Sequence, residues 1–208
     1  MLGVLRISHY FSIMNPIYKI RVLGILIFAL FASKALDAQN LQWGPDGNSY
    51  FQLEQNQLVR YSLPTLEKKV FLTADDLSPA GENPILVRDF TFSQDQKKLL
   101  IYTNTSRVWR LDTQGDYWVL DLETKDLKQT GKGLPVSSQR FAKLSPDASK
   151  IAYVSEFNLY VEDLASGQIT QLTQDGNRKL INGTFDWAYE EEFACRDGFQ
   201  WSPDGKKI

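Results

Sequence analysis

Trp201-Ser202-Pro203-Asp204-Gly205 recurs with variation as Trp43-Gly44-Pro45-Asp46-Gly47, Phe92-Ser93-Gln94-Asp95-Gln96 and Leu144-Ser145-Pro146-Asp147-Ala148. Equivalent positions are 49, 52 and 57 residues apart. Ser, Pro and Gly at the first, second and fourth positions suit a type I turn, which commonly closes a four-residue hairpin loop. An apolar strand follows the turn, Leu99–Tyr102 in one repeat and Ile151–Val154 in another.

Further strand signals fill each repeat. The first repeat gives Ser49–Leu53, Gln57–Ser62 and Lys68–Thr73; the second Tyr117–Leu122 and Asp126–Thr130; the third Asn158–Leu164 and Gln168–Thr173. Four short strands about every 50 residues mark the blades of a β-propeller. The fold expected is all-β: three four-stranded blades and the start of a fourth, over residues 39–208. Propellers close with about four to eight blades, so the chain reads as the front of a longer protein, truncated before any further domain.

Two segments break the repeat. Thr105–Asp116, with Arg107, Trp109 and Arg110, separates the second and third strands of the second repeat, where the third repeat has only Ser155–Phe157. Long insertions in a regular repeat concentrate function. The other is the connection into the fourth repeat, which holds Asp186-Trp187-Ala188-Tyr189-Glu190-Glu191-Glu192-Phe193. Asp186 suits a helix N-cap, and the glutamates follow near a helix start, where negative charge is favoured. Adjacent helical residues face different ways, so at most two of the three carboxylates can converge on one ligand.

The remaining composition narrows the function. A net charge of -2 without a Lys/Arg cluster gives no footprint for nucleic acid. Lys19 and Arg21, the apolar run 22–32 and the small residues ending at Ala38 read as an export signal over residues 1–38, which predicts a periplasmic or extracellular protein. His9, the only histidine, lies inside that signal. The mature segment therefore builds no Ser-His-Asp or Cys-His catalytic set and no histidine metal site. Nothing points to a metal or organic cofactor. Cys195 is the only cysteine, so no internal disulfide forms, and a buried free thiol is expected.

Asp186–Phe193 resembles the double-glutamate motif of the dipeptidyl peptidase IV family, serine exopeptidases related to prolyl oligopeptidase. Trp109-Arg110, followed by Tyr117 and Asp121-Leu122, is similar to that family's substrate-arginine loop. The family has Val where this chain has Ala188, and a Ser-Tyr pair where this chain has Leu111-Asp112-Thr113. The resemblance implies an eight-bladed propeller with a C-terminal α/β-hydrolase domain, removal of dipeptides from free N-termini, and in many members dimerisation. It assigns Glu191 and Glu192 to the substrate α-ammonium and Arg110 to a substrate carbonyl, with Arg107 as the alternative arginine. The nucleophile, acid and histidine are implied to lie beyond Ile208. The reading from another class is a non-catalytic periplasmic propeller that binds or scaffolds.

Overall fold

The computed structural model describes residues 41–208; the export-signal expectation falls outside them. Among these residues twelve antiparallel strands make three blades. The first holds β1 (Gln42–Trp43), β2 (Ser49–Glu54), β3 (Gln57–Ser62) and β4 (Glu67–Leu72). The second holds β5 (Val87–Phe92), β6 (Lys98–Val108), β7 (Leu111–Asp121) and β8 (Leu127–Gln129). The third holds β9 (Gln139–Leu144), β10 (Lys150–Ser155), β11 (Asn158–Asp163) and β12 (Ile169–Gln171). A 3-10 turn covers Asp75–Leu77, and one α-helix among the described residues, α1 (Trp187–Phe193), precedes the turn of the fourth repeat. Among the described residues no helix is long and apolar enough to cross a membrane.

The recurring turn is held by one side-chain device. The hydroxyls of Ser93, Ser145 and Ser202 each donate to the aspartate two residues on at 2.6 Å. Each also accepts from the amide of the following strand, at Lys98, Lys150 or Lys207, at 2.9 Å. The first repeat has Gly44 in place of the serine. There Ser49, from β2, donates to Asp46 Oδ1 at 2.8 Å, and its Oγ lies 2.2 Å from where a Gly44 Cβ would stand. The hydroxyl thus reaches the same aspartate from the strand side, and a side chain at residue 44 has no room. The fourth turn residue is left-handed in every copy, with φ of 63° at Gly47, 57° at Gln96, 52° at Ala148 and 66° at Gly205.

These hydrogen bonds favour the ionised carboxylate. The Ser145 hydroxyl and the amide and hydroxyl of Ser149 lower the pKa of Asp147 to about 2; Asp95 and Asp204 are lowered for the same reasons. A depressed folded pKa contributes stability that is present above the unfolded value of 3.8 and lost as pH falls towards about 2. The melting temperature is therefore expected to drop between about pH 4 and pH 2, and Asp147→Asn to flatten that drop while lowering the melting temperature at pH 7. Thermal melts across that range decide; an unchanged slope in the variant removes Asp147 from the account.

The two faces of each strand feed different cores. Leu99, Ile101 and Leu120 of the second blade pack with Phe51, Leu58 and Leu72 of the first. Leu100, Tyr117 and Val119 point the other way and pack with Ile151, Tyr153 and Tyr160 of the third. Ala152, Val154 and Leu159 face onward to Phe199 of the fourth repeat. The side-chain period of two therefore buries both faces of a middle blade, which explains the continuous apolar runs Leu99–Tyr102 of β6 and Ile151–Val154 of β10.

Two departures from the sequence reading bear on the site. The insertion Thr105–Asp116 is not a separate loop: β6 and β7 continue through it as paired strands of 11 residues each, with bulges between Thr103 and Ser106 and between Ser106 and Val108. The second and third blades are also not separate sheets, because Gly115 of β7 pairs with Gln139 of β9. On its other side, a Cβ on Gly115 would lie 2.6 Å from Thr103 O and from the Tyr102 ring of β6, so the close approach of β6 requires glycine there. Cys195 is a free thiol, only half-buried.

Candidate functional site

The extended β6–β7 hairpin is an arm that carries Arg110 at its tip. Val108 pairs with Leu111 across a two-residue turn, Trp109-Arg110, with Trp109 left-handed at φ 55°. Arg107 pins the turn: its Nε and Nη2 donate to the Arg110 carbonyl at 3.1 and 2.9 Å. The base of the arm is tied by Asp116, which is buried. Asp116 accepts from Asn104 Nδ2 at 2.7 Å and from the Ser137 amide at 2.6 Å, and Ser137 Oγ donates to the Asn104 carbonyl at 2.7 Å. The Tyr102 hydroxyl donates to the Asp112 carbonyl at 2.9 Å. The guanidinium of Arg107 is thus occupied by the arm itself, while that of Arg110 projects beyond it.

The glutamates lie on α1. Asp186 is extended at φ -80° and ψ 177°, and its Oδ1 accepts from the Tyr189 amide at 3.1 Å, an N-cap as the sequence suggests. Ala194 ends the helix in the left-handed region, φ 53°. The helix rides on a loop whose neck is closed by the Thr184–Asp197 bridge and the Gly198 amide on the Gly183 carbonyl at 2.9 Å. Lys143 of β9 fastens that neck: Nζ donates to Phe199 O and Gln200 Oε1, both at 2.7 Å, and pairs with Asp197. Phe185, Tyr189 and Phe193 form an aromatic row with ring centroids 5.3 and 5.7 Å apart.

The three adjacent carboxylates have three different surroundings. Glu191 Oε2 meets Arg110 Nη1 at 2.8 Å, the side chains being 20% and 70% exposed. Glu192 is exposed and makes no ion pair with the described residues. Glu190 is the only buried residue of the helix. The arm and the helix, far apart in sequence, are therefore brought together by one of the two assigned glutamates and by Arg110, not by Arg107. So exposed an ion pair contributes only about 0–1 kcal/mol, too little to explain two separate structural departures from the repeat. Chemically, the cluster offers carboxylate oxygens to a cation and a solvent-facing guanidinium to a carbonyl or carboxylate. The buried setting of Glu190 was not legible in the sequence, which showed only that one of three consecutive helical carboxylates has to face away.

Comparison with known proteins bears on this arrangement. Residues 93–208 match the dipeptidyl peptidase IV (DPP IV) N-terminal region family. A probable dipeptidyl-aminopeptidase B of Penicillium rubens is 31% identical over 178 residues, 79% of this chain and 20% of that protein. One from Podospora anserina is 38% identical over 117 residues, 56% of this chain and 13% of that protein. The chain thus spans about a fifth or less of the length of these relatives. The crystal structure of Porphyromonas gingivalis dipeptidyl peptidase 4 superposes with a TM-score of 0.70 at 21% identity, over 80% of this chain and 24% of that one. Blades, turns and matching sequence agree: the chain is part of a β-propeller and belongs to the dipeptidyl peptidase IV N-terminal region family.

Proposed function

We propose that this chain is the substrate-binding front of the propeller of an exported serine dipeptidyl aminopeptidase. In this reading Glu191 and Glu192 hold the α-ammonium of a peptide with a free N-terminus, and Arg110 holds a substrate carbonyl. The nucleophile, acid and histidine are supplied by a C-terminal hydrolase domain. The observation that carries the reading is the meeting of the arm and the helix through Arg110 and Glu191 at 2.8 Å, in a chain of this family.

The chemistry suits the task. An α-ammonium has three donors, and charge-assisted bonds to carboxylates are the strong ones. Two residues of extended chain span roughly 7 Å, so an anchor for the amine at that distance from the nucleophile measures out a dipeptide. The solvent-facing guanidinium of Arg110 can take a carbonyl without leaving Glu191.

The test is the charge itself. In the full-length protein, dipeptidyl p-nitroanilides with a free amine are expected to be cleaved, and their N-acetylated forms to be cleaved at least about 30-fold less efficiently, since an unpaired buried charge partner costs about 2–5 kcal/mol. Equal turnover of the two forms, or turnover of neither, overturns the proposal; the second result leaves a binding module.

A further inference from the structure

Strand β9 carries an attachment for each half of the site. Just ahead of it, Ser137 grips the base of the arm. Its amide donates to Asp116 Oδ1 at 2.6 Å and its hydroxyl to the Asn104 carbonyl at 2.7 Å, while Gln139 pairs with Gly115 of β7. Near the other end, Lys143 holds the neck of the loop that carries α1. Its Nζ donates to Phe199 O and Gln200 Oε1, both at 2.7 Å, pairs with Asp197, and lies 4.8 Å from the centre of the Phe199 ring. The Lys143 carbonyl also accepts from Trp201 Nε1 at 3.0 Å.

A regular strand could not do both. Gln139 and Lys143 are four residues apart, so an unbroken period of two would turn their side chains to one face. Directly opposite residues of an antiparallel pair share a face. Gln139 lies opposite Ser155, on the side of Ile151 and Tyr153, which pack on the second blade. Lys143 lies opposite Ala152, whose side packs on Phe199 of the fourth repeat. Between them the register shifts: Phe141 and Ala142 stand against Tyr153 alone, and Phe141 is left-handed at φ 54°. A bulge re-aims the side chains beyond it. This one turns Lys143 from the second blade towards the helix-bearing loop.

The arm attachment is not what packing alone selects. Asp116 is 8% exposed, and the donors it meets, Asn104 Nδ2 and the Ser137 amide, are neutral. Burying a carboxylate without a countercharge opposes folding. Asn104 and Ser137 are both left-handed, with φ of 45° and 55°, conformations that persist where the surroundings over-determine them. The exposed Arg110–Glu191 pair is too weak to hold arm and helix together by itself.

We propose that β9 is the common mount of the site, with Asp116 and Lys143 as positioning residues. Asp116 seats the arm at the start of the strand, Lys143 seats the α1 loop near its end, and the bulge at Phe141 lets one strand hold both. The proposal rests on the function proposed above for Arg110, Glu191 and Glu192. Asp116 and Lys143 do not touch substrate; they fix the spacing of the groups that do.

Asp116→Ala and Lys143→Met, made in the full-length enzyme, test it with two readouts. The first is kinetic, on a free-amine dipeptidyl p-nitroanilide and on p-nitrophenyl acetate, an ester with no amine to anchor. Each variant is expected to lower kcat/KM for the dipeptide substrate about 10- to 100-fold, the effect of a small misplacement, with ester hydrolysis unchanged. Lys143→Arg, which keeps the charge, and Asp116→Asn, which keeps an acceptor for the Ser137 amide, are expected to recover part of the loss. An unchanged kcat/KM in either variant, or a parallel fall in ester hydrolysis, overturns the proposal.

The second readout needs no substrate. In Asp116→Ala, amide hydrogen exchange is expected to speed up at least about tenfold in the arm, residues 106–114, and to stay unchanged in α1. In Lys143→Met the expectation reverses: the Phe185, Cys195 and Gly198 amides, which close the α1 loop and its neck, exchange faster and the arm does not. Leu99–Ile101 stay protected in both. Exchange that is unchanged, or that rises in the other element or in the core, overturns the mount. If the native enzyme cleaves acetylated and free substrates alike, the ammonium assignment fails, and the two local exchange patterns still establish β9 as the strand that holds arm and helix.

Discussion

Replacing Glu191 with alanine in the full-length enzyme is expected to lower kcat/KM for free-amine dipeptide substrates by roughly 30- to 5,000-fold. The range comes from the cost of removing one partner of a desolvated charge pair, about 2–5 kcal/mol, with each 1.36 kcal/mol worth a factor of ten. Glu191 is expected to matter in two ways. It is a candidate ligand of the ammonium, and it is the residue that meets Arg110 at 2.8 Å, so its removal also frees the guanidinium meant for the substrate carbonyl. Glu192→Ala is expected to lose activity through the ammonium alone, since Glu192 makes no ion pair with the described residues. Both variants are expected to fold, because the exposed Arg110–Glu191 pair contributes about 0–1 kcal/mol. The check is a kinetic comparison with thermal melts as control. The loss in Glu192→Ala has to vanish, and that in Glu191→Ala to shrink, when the substrate is N-acetylated; unchanged activity in both variants rejects the site.

The second large effect concerns the blades. Ile101→Ala is expected to destabilise the protein by about 2–5 kcal/mol, the range for emptying a fully buried aliphatic site. Ile101 is completely buried on β6 and packs in the core shared by the first and second blades. Net stability of a domain is only about 5–15 kcal/mol, so this single cavity removes a large share of it. Leu86→Ala is the matched control: Leu86 is 77% exposed, and a surface change of this kind is expected to stay within about 0.5 kcal/mol. Denaturant titrations of both variants decide. A small loss at Ile101 shows that neighbouring blades can close over the gap and that their contact is looser than the packing implies.

The same two residues, on β6 and in the loop before β5, illustrate how the fold could be read in advance. The apolar run from Leu99 to Tyr102 and the turn at Ser93–Gln96 are local signals, and the observed strand β6 starts within a residue of the expected position. In the third repeat Asn158–Leu164 was expected and β11 is Asn158–Asp163. The arm was harder. Asn104–Arg110 has no apolar alternation, since neither of its faces is buried in an inter-blade core, and its strand character comes from cross-strand pairing such as Ser106 with Gln114. A periodicity argument sees burial; it does not see a ribbon held mainly by its own backbone and by Asp116 at its base.

The Asp186 N-cap and the short helix that follows were likewise legible, because capping is decided by the residue and the next three amides. The sequence also sufficed for the repeat, the four turns, the second, third and fourth strands of each blade and the rule that three consecutive helical glutamates cannot share one target; it did not locate the first strands β1, β5 and β9. It could not say which glutamate turns inward, that Arg110 rather than Arg107 reaches the helix, or that Ser49 stands in for the serine missing at Gly44. Those were decided by the tertiary structure, because each depends on packing between elements distant in sequence: the burial of Glu190, the arm tip beside α1, a strand hydroxyl folded back onto a turn. Local propensity sets what an element is, and only the packing of distant elements sets which charges meet.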